Sequence, residues 1–263
     1  MIKRFKKHKR EYELGLIGAS TSLVLYYLLR YIAAPVVKKL WVKDVEGLDN
    51  IPKKGPVIIA SNHESYMDFL CFWAVAPRQV QYLAAEVFYK KKMWKPIMVA
   101  TGQIKVERDS RDKKGVHEKA HYILENDGML GVFPEGTRTR TGDMGKAYTG
   151  VAKFALKGKA PIVPVGMVDT FNIWPPHKKL PRFKKCRIKI DKPIHFTDYH
   201  DKEHTEELIR HLTDELMSVI AGLVGKKYGH HYKLNKHKQK NVEMSEIKNI
   251  DSAHKKNIEP IKA

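Results

Sequence analysis

Short apolar runs rich in β-branched residues recur at about 56–60, 81–85, 102–106, 129–133, 161–167 and 186–190, and each reads as a buried strand. Between them, segments with helical spacing predict helices at about 65–76, 113–126, 147–158 and 205–224. That alternation predicts an α/β fold with a mainly parallel or mixed central sheet flanked by helices. Asp127-Gly128 is a stop signal for the helix near 113–126, and Met129 to Phe133 follows it as a strand. Leu208, Leu212, Leu216, Ile220 and Leu223 fall on one stripe of the last helix, as core packing requires. Beyond Gly225 the chain is rich in Lys, His and Asn and poor in large apolar residues, so a disordered tail is expected.

Ahead of the first of these strands lies a longer apolar segment, Leu14 to Val37, broken by Arg30 and Pro35 and carrying Tyr26, Tyr27 and Tyr31. At 24 residues it is nominally long enough to span a bilayer. Basic clusters flank it on both sides, however, and a simple crossing would carry one of them away from the cytoplasmic face. A helix or broken hairpin embedded in one leaflet keeps both on that face. A cleaved signal peptide fits poorly with the long run and Arg30, and an ordinary core helix fits poorly with the flanking charge. Tyr89-Lys90-Lys91-Lys92-Met93-Trp94-Lys95 is a second basic and aromatic strip, readable as an interfacial segment or as a solvated charge run. The expected division is a basic, membrane-associating N-terminus over 1–44, an α/β domain over 45–225, and a basic tail over 226–263.

Composition limits the remaining choices. A chain of 263 residues with 43% hydrophobic content can bury one sizeable core. The net charge of +20 is concentrated at the ends, with six Lys or Arg in residues 1–10 and ten against four acids in 226–263. Such clusters favour anionic surfaces, either acidic lipids or nucleic acid. Nucleic-acid binding would call for stacking platforms or a recognisable module, and neither is evident. Two cysteines, Cys71 and Cys186, with no C-x-x-C spacing, point to neither a disulfide framework nor a zinc site, and suit a reducing cytosol.

Two stretches carry candidate chemistry. In Asn62-His63-Glu64-Ser65-Tyr66-Met67-Asp68, at a strand-to-helix turn, His63 can take a proton from an alcohol if Asp68 folds back to orient it. The bland alternative is a buried histidine satisfied by a carboxylate. In Phe133-Pro134-Glu135-Gly136-Thr137-Arg138, glycine lets backbone N–H groups approach an anion and arginine offers a planar fork to phosphate oxygens. Here the alternative is a glycine turn with a solvated arginine.

Taken with Gly102-Gln-Ile104-Lys-Val-Glu-Arg108 and Ile162-Val-Pro164-Val-Gly166, these stretches occur in the order and approximate spacing of the four motifs of the glycerolipid acyltransferases. The chain resembles in particular the 1-acyl-glycerol-3-phosphate (lysophosphatidic acid) acyltransferases, over roughly residues 45–225. The resemblance implies a catalytic pair of His63 as base and Asp68 as its orienter. It also implies phosphate binding by Arg108 and Arg138 in a pocket shaped by Glu135, Gly136 and Thr137, with Lys146 as a further phosphate candidate and Pro164 near the acyl chain. Two positions depart from common spellings: Glu64 where a neutral residue is more usual, and Thr139 in place of a frequent Ser. The expected activity is transfer of a fatty acyl group from a thioester, acyl-CoA or acyl carrier protein, to the hydroxyl of lysophosphatidic acid, with no further cofactor or metal and with membrane lipids as partners. Glycerol-3-phosphate or another lysolipid is the alternative acceptor, and the cytoplasmic face of a membrane the expected location.

Overall fold

The computed structural model describes residues 19–92, 94–101, 103–106, 114–176 and 178–230. The described strands are β1 (Val42–Glu46), β2 (Val57–Ser61), β3 (Val80–Ala85), β4 (Ile104–Val106), β5 (Met129–Val132), β6 (Ile162–Val168) and β7 (Cys186–Ile190). They form a seven-stranded sheet in the order β1-β7-β6-β2-β5-β3-β4. Five neighbours, β6-β2-β5-β3-β4, run parallel, while β7 meets β6 antiparallel and β1 follows β7 in parallel. The sheet is therefore mixed. The fully buried strands β2 and β5 show the near-continuous apolar character of a sheet covered on both faces.

The helices are α1 (Ala19–Trp41), α2 (Tyr66–Val75), α3 (Val87–Lys90), α4 (Trp94–Ala100), α5 (Lys114–Glu125), α6 (Gly150–Gly158), α7 (Thr170–Ile173) and α8 (Glu206–Val224). Each expected strand and helix is present within a few residues of its predicted bounds. Asp127, in the stop signal after α5, takes the left-handed conformation with φ 58°. On α8, Thr205 caps the first turn by accepting from the Leu208 N–H at 3.2 Å, and Leu212, Leu216 and Ile220 are buried as the stripe requires.

Three elements escaped the sequence reading. β1 is a charged edge strand, Val-Lys-Asp-Val-Glu, with too little apolar content to register as a buried run. The short helix α7 precedes a long loop, and α4 lies in the basic and aromatic strip around Trp94. The apolar N-terminal segment is one helix from Ala19, running past Val37 to Trp41 with Pro35 inside it. Arg30, which interrupts the apolar run, has a structural use: its guanidinium donates to the Ala76 carbonyl at the end of α2 and to the Tyr26 hydroxyl at 3.3 Å. A cation at a helix C-terminus satisfies carbonyls that the helix cannot. Tyr26, Ala34 and Val37 face the core with α2, while Tyr27, Tyr31, Ile32 and Val36 face outward. Among the described residues no helix is long and apolar enough to cross a membrane. Residues 14–18 of the apolar segment and 231–263 of the expected tail lie outside the described residues.

Both cysteines are free and buried in the cluster joining α1, α2 and the sheet, where they act as small core residues. Near the sheet's centre, Gly131 on β5 pairs with Tyr82 on β3. A Cβ at 131 would lie 2.5 Å from the Tyr82 ring, so the absence of a side chain lets that ring lie across β5.

Candidate active site

The site forms at the carboxyl ends of β2 and β5. These strands are hydrogen-bonded neighbours, with Ala60 opposite Val132, so the segments that follow them leave the same edge of the sheet side by side. Brought together in this way are the turn carrying His63 and the turn carrying Arg138. The carboxyl edge of parallel strands is where α/β folds place their ligands.

The spacing of His63 and Asp68 follows from a helix cap. Ser65 is the N-cap of α2 and accepts from the Met67 N–H at 3.2 Å; Asp68, three residues on, turns back so that its Oδ2 accepts from the Ser65 N–H at 2.8 Å. The same oxygen accepts from the Glu64 N–H at 2.7 Å and lies 2.9 Å from His63 Nδ1. With backbone N–H groups holding the carboxylate at a helix N-terminus, its remaining demand is for a proton on Nδ1. That assignment of the tautomer leaves the Nε2 lone pair free to accept a proton. The imidazole stacks on Phe133, ring centres 4.0 Å apart and planes within 13°, and Phe133 stacks in turn on Tyr82 at 5.1 Å. The ring therefore has a fixed plane. Its side chain remains 16% exposed while Asp68 is fully buried, so only the histidine can reach a ligand.

Glu135 binds the two turns together. One carboxylate oxygen accepts from the His63 N–H at 2.8 Å and the other from the Gly145 N–H at 2.6 Å. The Thr139 N–H donates to the His63 carbonyl at 2.9 Å, so both backbone polar groups of His63 are held by the segment after β5. Glu135 thus shapes the site by bracing its backbone, with both oxygens engaged by N–H donors. Burial pushes its pKa up to about 7 from an ordinary 4.5, the two N–H donors pull the other way, and the carboxylates of Asp68 and Glu64 add to the rise. Because the folded-state value lies above the unfolded one, the proton on Glu135 stabilises the fold fully below about pH 4.5, and this contribution is lost as pH rises toward 7. Wild-type protein should therefore lose stability relative to Glu135→Gln across that window. Chemical denaturation of both proteins from pH 4.5 to 8 checks it, and a difference independent of pH would contradict the burial argument.

Gly136 adopts φ 67°, and a Cβ there would meet the Tyr148 ring at 2.8 Å, so glycine serves both the turn and a close approach. Thr137 is exposed beside it. The Arg138 guanidinium lies over the Tyr66 ring, 3.6 Å from its centre, and Tyr66 packs edge-on against Phe88 and Trp174. An aromatic shelf of this kind limits where the guanidinium can go. Lys146 is exposed between Gly145, held by Glu135, and Tyr148, whose N–H donates to the Pro134 carbonyl at 2.8 Å, so it is carried next to the Glu135–Arg138 turn. Gly102, Glu107 and Arg108 lie outside the described residues. Pro164 is buried in β6, opposite Ala60 of β2. It sits where the antiparallel ladder with β7 breaks between the Val165–Ile190 pair and the Ile162–Ile194 bridge, a place that tolerates a residue without an N–H.

Glu64 is turned away from His63. Its carboxylate forms an ion pair with Lys226, accepts from Asn62 Nδ2 at 3.2 Å and from the Phe171 N–H at 3.4 Å, and is 4% exposed. Lys226 also donates to the Gly142 carbonyl. The unusual charge after the catalytic histidine is thus matched by a cation just beyond α8. Asn62 itself bonds both backbone groups of Met167, at 3.0 and 2.8 Å, extending the β2–β6 pairing to the start of the histidine turn. Of these partners, Ser65-x-x-Asp68 was visible as a capping box and Tyr66 as an aromatic in the motif; nothing in the sequence pairs Lys226 with Glu64.

Residues 43–168 match the Acyltransferase family. This segment belongs to the acyltransferase family. A 1-acyl-sn-glycerol-3-phosphate acyltransferase of Borreliella burgdorferi is 34% identical over 140 residues, 51% of this chain and 56% of that protein. The alpha isoform of the same enzyme from Bos taurus is 30% identical over 156 residues, 57% of this chain and 53% of that protein. This chain spans about half the length of the curated relatives it matches. The solved structure of the 1-acyl-sn-glycerophosphate (LPA) acyltransferase PlsC from Thermotoga maritima superposes with a TM-score of 0.60 at 20% identity, covering 87% of this chain and 99% of that one, and shows the same fold. The acyltransferase segment runs from β1 to the end of β6 and contains His63, Asp68 and the Glu135–Arg138 turn.

Proposed function

We propose that this chain transfers a fatty acyl group from an acyl thioester to the free hydroxyl of 1-acyl-glycerol-3-phosphate, yielding phosphatidic acid. The observation carrying this reading is the His63–Asp68 pair stitched through Glu135 and Thr139 to the turn that bears Arg138. His63 Nε2 takes the proton as the acceptor hydroxyl attacks the thioester carbonyl; Asp68 stabilises the resulting imidazolium. Collapse of the tetrahedral intermediate breaks the carbon–sulfur bond, and the leaving thiolate recovers the proton from His63. No side-chain nucleophile is needed, because the substrate supplies its own. Arg138, with Arg108 and Lys146, holds the acceptor phosphate, and that positioning contributes alongside base strength. Gly136 and Thr137 present the turn's backbone to it, and Pro164 lies toward the acyl chain. The donor is acyl-CoA or acyl carrier protein. The acceptor is a membrane lipid, and α1 with the basic N-terminus places the enzyme on the cytoplasmic face of the membrane that contains it.

An assay of the full chain with labelled acyl donor and a panel of lysolipids tests the reading. Lysophosphatidic acid should give the highest kcat/KM. Preference for glycerol-3-phosphate, or for a lysolipid whose phosphate is masked by a headgroup, would overturn the acceptor assignment.

A further inference from the structure

The loop joining α7 to β7, residues 174–185, holds Lys178, Lys179, Arg182, Lys184 and Lys185 and no acidic residue. It also exposes two large apolar side chains, Leu180 at 77% and Phe183 at 83%. Exposed apolar residues scattered singly need no explanation, but two of them on one short loop, each flanked by cations, form an amphipathic tip. The loop is also held in place. Its backbone is tied at both ends: the Trp174 indole donates to the Lys178 carbonyl at 2.9 Å, the Arg182 N–H donates to the Ile173 carbonyl at 2.8 Å, and the indole of Trp41 donates to the Arg182 carbonyl at 3.1 Å. Phe183 stacks on Trp41, the last residue of α1, with planes within 6°. The tip is therefore continuous with α1, whose outward face carries Tyr27, Tyr31, Ile32 and Val36 and whose last turn carries Lys38 and Lys39.

We infer that this loop is a second membrane-contact element, inserting Leu180 and Phe183 below the headgroups of an anionic bilayer while the five cations engage lipid phosphates. The chemistry selects this partner. Lysine and arginine stems can lie along apolar surface with their charges at headgroup level, and tryptophan favours the same depth. Nucleic acid offers phosphates to the cations but no apolar medium to Leu180. The root of the loop touches the catalytic turn, with Ser65 Oγ donating to the Trp174 carbonyl at 2.9 Å and the Trp174 ring edge-on to Tyr66 beneath Arg138. Docking the tip would thus set the height of the phosphate site above the bilayer. The inference concerns binding and does not depend on which hydroxyl is acylated.

The test places an environment-sensitive fluorophore on Leu180→Cys in the full chain; Cys71 and Cys186 are buried and stay unlabelled. Vesicles containing about one-third anionic lipid should shift the emission to the blue, and purely neutral vesicles should do so far less, since each basic residue near an anionic surface adds to the attraction. In the unlabelled chain, Leu180→Ser with Phe183→Ser should lower the partition coefficient by at least about tenfold without changing the thermal melting temperature, because both side chains are exposed. A chain that sediments with vesicles while the probe stays unchanged, or a chain that does not bind vesicles, would overturn the inference. A probe that responds to duplex RNA and not to vesicles would assign the loop to nucleic acid and overturn it equally. Acyl transfer is not the readout. An inactive protein with a responding probe would sink the proposed function alone, and an active one with a silent probe would sink only the loop.

Discussion

Replacing His63 with Ala should lower the turnover rate by roughly 10²- to 10⁴-fold, the usual contribution of a positioned general base. The fold should survive. The bonds that fasten residue 63 to Glu135 and Thr139 come from its backbone N–H and carbonyl, which alanine retains, and the capping box of α2 runs through Ser65 and Asp68. Asp68 would be a poorer target, since its carboxylate both orients the imidazole and accepts the N–H groups of Glu64 and Ser65, so its loss would mix catalysis with stability. Single-turnover kinetics with labelled acyl donor, alongside circular dichroism and a thermal melt, separate the two effects. A stable His63→Ala protein with wild-type turnover would rule out the mechanism.

Substituting Arg138 with Lys keeps the charge and removes the planar fork, so the outcome distinguishes a phosphate ligand from a diffuse positive field. A lost charge-assisted hydrogen bond is worth about 1.5–3 kcal/mol, and kcat/KM for lysophosphatidic acid should fall on the order of tenfold to a hundredfold. The KM for the acyl donor should hardly change. Lysine also gives up much of the stacking that keeps the guanidinium 3.6 Å above the Tyr66 ring, so the loss should appear even where salt screens charge. Arg108→Ala should behave alike, and the double variant should lose less than the sum of the two if both arginines grip one phosphate. Steady-state kinetics with each substrate varied in turn decide the point. A defect confined to the donor would move Arg138 to the other substrate.

Much of the site was legible because its parts are local. A strand that ends in Asn62-His63 and a helix that opens with Ser65-x-x-Asp68 confine the imidazole and the carboxylate to one turn of chain. The role of Glu135 was less legible. A carboxylate in a glycine turn reads as part of a pocket lining, yet its partners are backbone N–H groups at 63 and 145, and backbone groups carry no residue signature. The same holds for Glu64, whose partner Lys226 lies 162 positions away and looks like any other lysine of a basic chain.

The sequence by itself determined the kind of elements, their order and the chemistry available to them, because hydrophobic periodicity, turn residues and helix caps act over a few residues. The tertiary structure alone decided that β1 joins the sheet, since its charged residues are admitted by pairing with β7 and not by burial of their own. It also decided that the ends of β2 and β5 lie side by side, that Phe133 carries the catalytic ring and Tyr66 the arginine, and that Arg30 is spent on the end of α2. Each of these is a contact between segments far apart in the chain, and such contacts are selected by how whole faces pack, a property that no single stretch of residues contains.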